Sequence, residues 1–296
     1  MNILITGGTG YIGRELCRAL AQRNDNIWVY SRRPAAVQQL CGPRANPVDS
    51  LDKITALNLD AVVNLAGESI AGGLWTTKRK QKLRDSRIQL TADLCSNLAR
   101  SDTPPMTFIS ASATGVYGDG GDTFFSEDSP ASSNDFAQQL CHDWETAADP
   151  ASEWSRVVKL RIGLVMGPGG GFLGPLKLPF RLGLGGRLGS GQQWMSWISL
   201  ADMVNVILFC LDNSTCKGPV NAVAPNPVTN REFTQTFAEL LNRPAIIPAP
   251  ATALKIGLGE LSSLLLGGQR VIPEKLQALG FEFKHAELES ALRAAL

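Results

Sequence analysis

At 296 residues the chain is long enough for one large layered domain or two smaller ones. Its 28 Lys+Arg nearly balance its 27 Asp+Glu, which removes a global electrostatic drive toward nucleic acid or an anionic membrane surface. The only histidines, His142 and His285, lie far apart and lack carboxylate or thiolate spacing, so no metal site is expected.

Residues 3–5 form a short apolar run that reads as a buried strand. Thr6-Gly7-Gly8-Thr9-Gly10-Tyr11-Ile12-Gly13 follows it and opens a helical pattern over about 12–23. The loop contains Gly8-x-Gly10-x-x-Gly13 and the offset form Gly7-x-x-Gly10-x-x-Gly13. One glycine makes the tight turn, one lets backbone N–H groups approach a pyrophosphate, and one lets the helix pack close to the strand. A glycine-rich turn without a ligand is the plain alternative, but the strand–loop–helix setting favours a dinucleotide. A second strand, 27–30, ends at Tyr30-Ser31-Arg32-Arg33-Pro34. An NAD-selective site places a carboxylate here for the ribose 2′-hydroxyl, and none is present. Two arginines and a serine hydroxyl suit a 2′-phosphate instead. NADP(H) is therefore the expected cofactor, preferred over NAD(H), against the alternative of a solvated basic turn.

A third apolar run, 61–65, ends in Asn64-Leu65-Ala66-Gly67. Those small residues either let a cofactor pass close to the backbone or simply close the strand. A helix is expected over 76–100, where Leu83, Ile88, Leu90, Leu94 and Leu98 fall mostly on one face. The basic run Lys78-Arg79-Lys80, Lys82 and Arg84 on it has no aromatic interleaving, so it reads as a solvated face rather than a nucleic-acid surface. A strand at 106–110, a helix at 134–148 and a strand at 157–160 continue the alternation, and a helix at 201–211 with a strand at 218–222 adds one more unit. Regular alternation predicts an α/β fold, a Rossmann-type doubly wound parallel sheet. Residues 1–163, with about 197–225, make the expected dinucleotide domain. The Gly/Pro-rich remainder, 164–196 and 226–296, is expected to form a smaller C-terminal substrate lobe over the carboxyl ends of the strands. Trp194 and Trp197 either line a pocket there or fill the core between the lobes.

The six cysteines form no C-x-x-C pair and sit in apolar stretches, the pattern of reduced buried thiols. Met1 runs straight into the first strand without a signal-peptide pattern. The apolar stretch 254–266 is broken by Lys255, Gly257, Gly259 and Glu260, so it does not span a bilayer. A cytoplasmic location is expected.

These residues resemble the extended short-chain dehydrogenase/reductase superfamily. Its loop is matched by 6–13, its N-x-A-G element by Asn64 to Gly67, and its serine strand with V-Y-G by the run from Ser110 through Ser112 to Tyr117-Gly118. Arg161 with Gly167-Pro168-Gly169, and Trp197 to Asp202, match two further segments. More narrowly, Asn64 to Glu68, Trp75, Ser86-Arg87, the run 179–186, Gly189-Ser190-Gly191 and the tail from Gly268-Gln269-Arg270 to Phe281 resemble the atypical, YfcH-like "epimerase family" subgroup. The resemblance implies NADP(H) binding. The expected cofactor contacts are Gly7, Thr9, Gly10, Tyr11, Ile12, Gly13, Ser31, Arg32, Arg33, Leu65, Ala66, Gly67, Glu68, Arg87, Ser110 and Arg161. It also leaves room for a homodimer through the helices near 76–100 and 134–148.

Active relatives pair a serine with Tyr-x-x-x-Lys, the tyrosine as acid/base and the lysine lowering its pKa. No Tyr-x-x-x-Lys occurs anywhere in this chain. On the corresponding helix the pair becomes Phe136 and Leu140 or, shifted by one, Ala137 and Cys141. Ser112 is left to polarise a carbonyl, or merely to cap a turn. Tyr117, His142 and Asp119 are the candidates to replace the acid/base, with Tyr117 best placed. Ser199 stands where extended members often carry a histidine. Two functions follow. One is an NADP(H)-dependent oxidoreductase or epimerase acting on a small hydroxyl, carbonyl or nucleotide-sugar-like substrate. The other is a non-catalytic NADP(H)-binding sensor.

Overall fold

The computed structural model describes residues 1–131 and 135–296. Seven strands form its central sheet: β1 (Asn2–Thr6), β2 (Asn26–Tyr30), β3 (Ala45–Val48), β4 (Ala61–Asn64), β5 (Thr107–Ala113), β6 (Arg156–Ile162) and β7 (Gly218–Ala222). Their order across the sheet is β7-β6-β5-β4-β1-β2-β3, and every neighbouring pair is parallel. Strand order reverses beside β1, so the carboxyl ends of β1 and β4 flank the crevice where such sheets take ligands.

Alternation along the strands explains the layering. Ile3, Ile5, Val63 and Ile109 join one apolar cluster, whereas Leu4, Val62 and Phe108 join another on the opposite face. Helix α1 (Tyr11–Gln22) covers the first face with Leu16, Cys17 and Leu20. On the second face runs α2 (Thr77–Arg84), which passes through a π-helical stretch, Asp85–Gln89, into α3 (Leu90–Leu98). Leu94 and Leu98 pack there on Phe108, while Leu83 turns to Trp75 and Leu140. The extra residue per turn in the π stretch is what splits the leucine stripe between two clusters. Helix α4 (Phe136–Ala147) lies beside them and begins with a capping box between Asp135 and Gln138. Residue 134, where the sequence suggested it would start, lies outside the described residues.

β3 carries no strong sequence signal. It is four residues long and contains Pro47, which fits only because β3 is an edge strand. β5 runs three residues beyond the expected end because Ala111, Ser112 and Ala113 continue its ladder with β6.

Helix α5 (Leu200–Asp212) packs Met203, Val206 and Ile207 on the same face as α1. Its N-cap is Ser199, whose hydroxyl accepts the Asp202 amide at 2.9 Å. Asp202 is fully buried, and its carboxylate accepts the Ser199 hydroxyl and the Lys284 and His285 amides at 2.7–2.9 Å. A further apolar cluster lies apart from the sheet. It joins Met166, Phe180 and Trp197 to Phe233 and Phe237 of α6 (Asn230–Leu240) and Leu288 and Leu292 of α7 (Leu288–Ala295). Trp197 is thus core, whereas Trp194 stays partly exposed.

Tyr11 joins α1 to the glycine-rich segment after β6. Its hydroxyl donates to the Pro168 carbonyl at 3.2 Å, and a Cβ at Gly171 would lie 2.5 Å from its ring and 2.6 Å from the Val165 carbonyl oxygen. Gly171 also has φ +63°. Gly171→Ala is expected to cost about 1–3 kcal/mol, read from the urea midpoint. Gly174→Ala, whose Cβ meets nothing within 4 Å, is the matched control and should stay within about 0.5 kcal/mol. Equal midpoints for the two variants would show that the Tyr11 contact is loose.

Candidate functional site

β1 delivers the chain into the glycine loop. Gly7 has φ +69°, and a side chain there would strike the Leu65 carbonyl oxygen at 2.6 Å. At Gly13 it would strike the Gly7 carbonyl oxygen at 2.3 Å, so this glycine allows α1 to meet the loop. Gly10 donates its amide to Gly7 at 2.9 Å and is the N-cap of α1, with no side-chain cap and no acidic residue in the first turn. The leading N–H groups of α1 are thereby left for an anion.

A cavity of about 440 Å³ opens in front of them. It is lined by Gly7, Thr9 and Gly10 from the loop, Tyr30, Ser31 and Arg32 after β2, Leu51, and Leu65, Ala66, Gly67 and Glu68 after β4. The helix side contributes Lys82, Asp85, Ser86, Gln89, Leu90 and Asp93. Glu68 meets three cations: Arg32 at 3.1 Å, Lys82 at 3.4 Å and Arg79 at 3.5 Å. The Arg32 guanidinium, followed by Lys82, holds its carboxyl below the usual range. Arg32 itself is 79% exposed and projects over the opening.

Arg87 rides on the π-helical stretch behind this wall. It donates to the Glu68 carbonyl at 2.8 Å and lies 5.1 Å from the Trp144 ring centre. A Cβ on Gly67 would come within 3.0 Å of its guanidinium carbon, so Gly67 is needed for the close approach. Burial pushes the Arg87 pKa down. Beneath the floor, Thr6 donates to Asn64 at 2.6 Å, and the Asn64 amide donates to Thr91 at 2.8 Å and Ser110 at 3.3 Å. Ser110 is therefore a buried support of the floor, 2% exposed, and not a cavity residue.

Ser112 and Tyr117 belong to a second, buried assembly. The Ser112 hydroxyl donates to Glu145 at 2.8 Å. Glu145 also receives Arg161 through two bonds, Nε at 2.9 Å and a terminal nitrogen at 3.0 Å. Arg161 donates to the Tyr117 hydroxyl at 2.8 Å, which donates on to Asn221 at 2.7 Å. The expectation that Arg161 contacts a cofactor does not fit this geometry: its guanidinium is 5% exposed and bound to Glu145 and Tyr117. Burial raises the Tyr117 pKa, against the lowering effect of Arg161, and its hydroxyl is already used as both donor and acceptor.

Ala137, Cys141 and Glu145 fall at four-residue spacing on α4, and Glu145 reaches Ser112 while Cys141 packs with Val116 and Tyr117. Of the two candidate pairs, only Cys141 packs beside the end of β5, with a thiol where relatives carry a lysine, whereas Ala137 packs with Trp75, Leu83 and Leu140. Burial pushes the Cys141 thiol up to about 12, which keeps it neutral. Phe136 and Leu140 pack with Trp75 and Leu83 in the cluster that also holds Ala137. His142 is about half exposed, beside Asp143 at 3.7 Å.

The structure therefore gathers Gly7, Thr9, Gly10, Ser31, Arg32, Leu65, Ala66, Gly67 and Glu68 around one cavity. Tyr11, Ile12, Gly13, Arg33 and Arg87 shape or flank it without lining it. Sequence reasoning missed Gln89 and Asp93, although Lys82, Ser86, Gln89 and Asp93 recur every three to four residues as a polar stripe. It also missed Glu145, eight residues along the helix from Ala137.

A model of the NAD dependent epimerase/dehydratase family matches residues 3–222, and one of a domain of unknown function (DUF1731) matches residues 249–295. The chain is 42% identical to the epimerase family protein Mb2239 of Mycobacterium bovis, over 98% of this chain and 96% of that one. It is similar to the crystal structure of human epimerase family protein SDR39U1 (isoform2) with NADPH, with a TM-score of 0.90 and 35% identity over 99% and 98% of the two chains. UDP-glucuronic acid 4-epimerase from Bacillus cereus, in complex with UDP-glucuronic acid and NAD, shares the fold at a TM-score of 0.80 and 17% identity over 99% and 97% of the chains. Family matches at both ends, the parallel sheet and the glycine loop agree: the chain belongs to the NAD-dependent epimerase/dehydratase family, as an atypical short-chain dehydrogenase/reductase of the epimerase-family type.

Proposed function

We propose that this protein binds NADP(H) in preference to NAD(H) and uses it as an oxidoreductase or epimerase on a small hydroxyl, carbonyl or nucleotide-sugar-like compound. The observation that carries the cofactor reading is the wall after β2, where Ser31 and Arg32 line the cavity and no carboxylate follows the strand. The human relative solved with NADPH supports it. The first-turn amides of α1 hold the pyrophosphate, Arg32 and Ser31 take the 2′-phosphate, and Leu65 to Gly67 carry the adenosine side along bare backbone. When bound, the nicotinamide gives or accepts a hydride.

The smaller lobe, residues 164–196 and 226–296, closes over the strand ends and excludes water from the reacting centre. Ser112, at the carboxyl end of β5, is the hydroxyl we assign to polarising the substrate carbonyl, and it is oriented by its hydrogen bond to Glu145. Ala137 and Cys141 supply no proton, so turnover is slower by about 10²–10⁴ than with a positioned acid. The same substitutions, with Tyr117 held in its buried assembly, favour a second reading in which NADP(H) occupancy sets a conformation that a partner recognises. We place the protein in the cytoplasm.

Fluorescence transfer from tryptophan to bound nicotinamide tests the cofactor. NADPH should bind at least tenfold more tightly than NADH. Arg32→Ala should remove about 1.5–3 kcal/mol from NADPH binding, tenfold or more, and leave NADH nearly unchanged. Equal affinities in the native protein would overturn the preference.

Oxidation of bound NADPH across a panel of carbonyl compounds and nucleotide sugars separates the two functions. The enzyme reading expects slow steady turnover that Ser112→Ala abolishes. Tight NADPH binding with no turnover on any member, together with different protease digestion of apo and bound protein, would favour the sensor.

A further inference from the structure

Arg270 lies outside the dinucleotide cavity and takes no part in the assembly around Glu145. The short strand Arg270–Val271 pairs with Phe124–Phe125 in the loop that follows Tyr117. Alternation sends Val271 and Phe125 inward to Tyr117, on which Phe125 stacks at 5.1 Å. It sends Arg270 and Phe124 to the other side. There the Arg270 guanidinium carbon sits 3.8 Å from the Phe124 ring centre and 3.9 Å from that of Trp194. Both faces of the guanidinium are covered and its Nε is buried, so its terminal N–H groups are what it presents.

Among the described residues these groups have no partner. Among the described residues no acceptor meets its Nε, which is buried, and no carboxylate lies within ion-pair distance of its terminal nitrogens. The nearby acid, Asp122, accepts the Trp194 indole N–H at 2.8 Å instead. The segment is held rigidly: Val271 donates its amide to Ser196 at 2.9 Å, Ser196 donates to the Gln269 carbonyl at 2.7 Å, and a Cβ on Gly268 would strike the Trp194 backbone. A guanidinium flattened between two rings, whose terminal N–H groups meet no acceptor among the described residues, is ordered for an acceptor from outside the chain. Phe124 is 53% exposed, so the ring that covers one face also borders solvent.

We propose that Arg270, stacked between Phe124 and Trp194, binds an oxyanion, a carboxylate or a phosphate, carried by the substrate. This rests on the reading that the smaller lobe receives a substrate, and it deepens that reading by assigning the substrate a negative charge. In-plane N–H donors match the planar fork of a carboxylate or two phosphate oxygens.

The test is an NMR titration of the full-length protein with sodium acetate and with inorganic phosphate, against sodium chloride at matched ionic strength. The reporter is the Trp194 indole N–H, assigned from the spectrum of Trp194→Phe. The expected result is a saturating shift with acetate, phosphate or both, absent with chloride, lost in Arg270→Gln and at least about tenfold weaker in Arg270→Lys, which keeps the charge but not the fork. The anion that saturates identifies the group. A shift that stays linear, matches chloride, or persists in Arg270→Gln overturns the proposal. NADPH titrated in parallel reports separately on the cofactor site: an anion response without NADPH binding would count against the cofactor reading alone, and the reverse against Arg270 alone.

Discussion

The buried pair between Glu145 and Arg161 joins α4 to two neighbouring strands and decides what every polar group around it does. Glu145 accepts a hydrogen bond from the Ser112 hydroxyl, and Arg161 donates one to the Tyr117 oxygen. Through Tyr117 the assembly extends to Asn221 on β7, whose amide bonds Glu127 at 2.9 Å. Removing one partner of such a pair leaves an uncompensated buried charge, a loss of about 3–5 kcal/mol. The ends of β5, β6 and β7 are thus fixed by electrostatics, where the rest of the sheet is fixed by apolar packing.

The nucleotide cavity is organised by a different arrangement, a carboxylate at its edge that gathers three cations. Glu68 holds Arg32, Lys82 and Arg79, while Asp85 and Asp93 add further carboxylates along the helix side of the lining. Arg87, turned into the wall by the π-helical stretch, lends rigidity from behind rather than charge at the surface.

Much of this was legible in the residues. The strands at the centre of the sheet are short runs of branched apolar side chains, and burial on both faces produces that pattern. The glycine loop was legible because three separate close approaches each demand glycine at a set spacing. β3 was not, since an edge strand containing Pro47 has neither alternation nor a continuous apolar run. The functional side chains divide in the same way. Residues contributed by one loop, such as Gly7 to Gly10 or Leu65 to Glu68, were found together. Arg161 and Ser110 were placed at the cofactor by resemblance, whereas their orientation depends on Glu145 and Asn64, partners 16 and 46 residues away. The two α4 registers likewise needed the docked helix, which sends Cys141 toward Tyr117, and Ala137, Phe136 and Leu140 toward Trp75.

Asp202 sets the order in which the molecule is completed. Its carboxylate sits at the start of α5, yet two of the amides that satisfy it belong to residues 284 and 285, more than eighty positions later. During synthesis from the N-terminus, the strands through β6 and the helices covering them are available long before those amides emerge. Until then the carboxylate keeps its water, and the first turn of α5 stays hydrated against an otherwise apolar layer. Closure of that layer is therefore a late event in the life of each new chain.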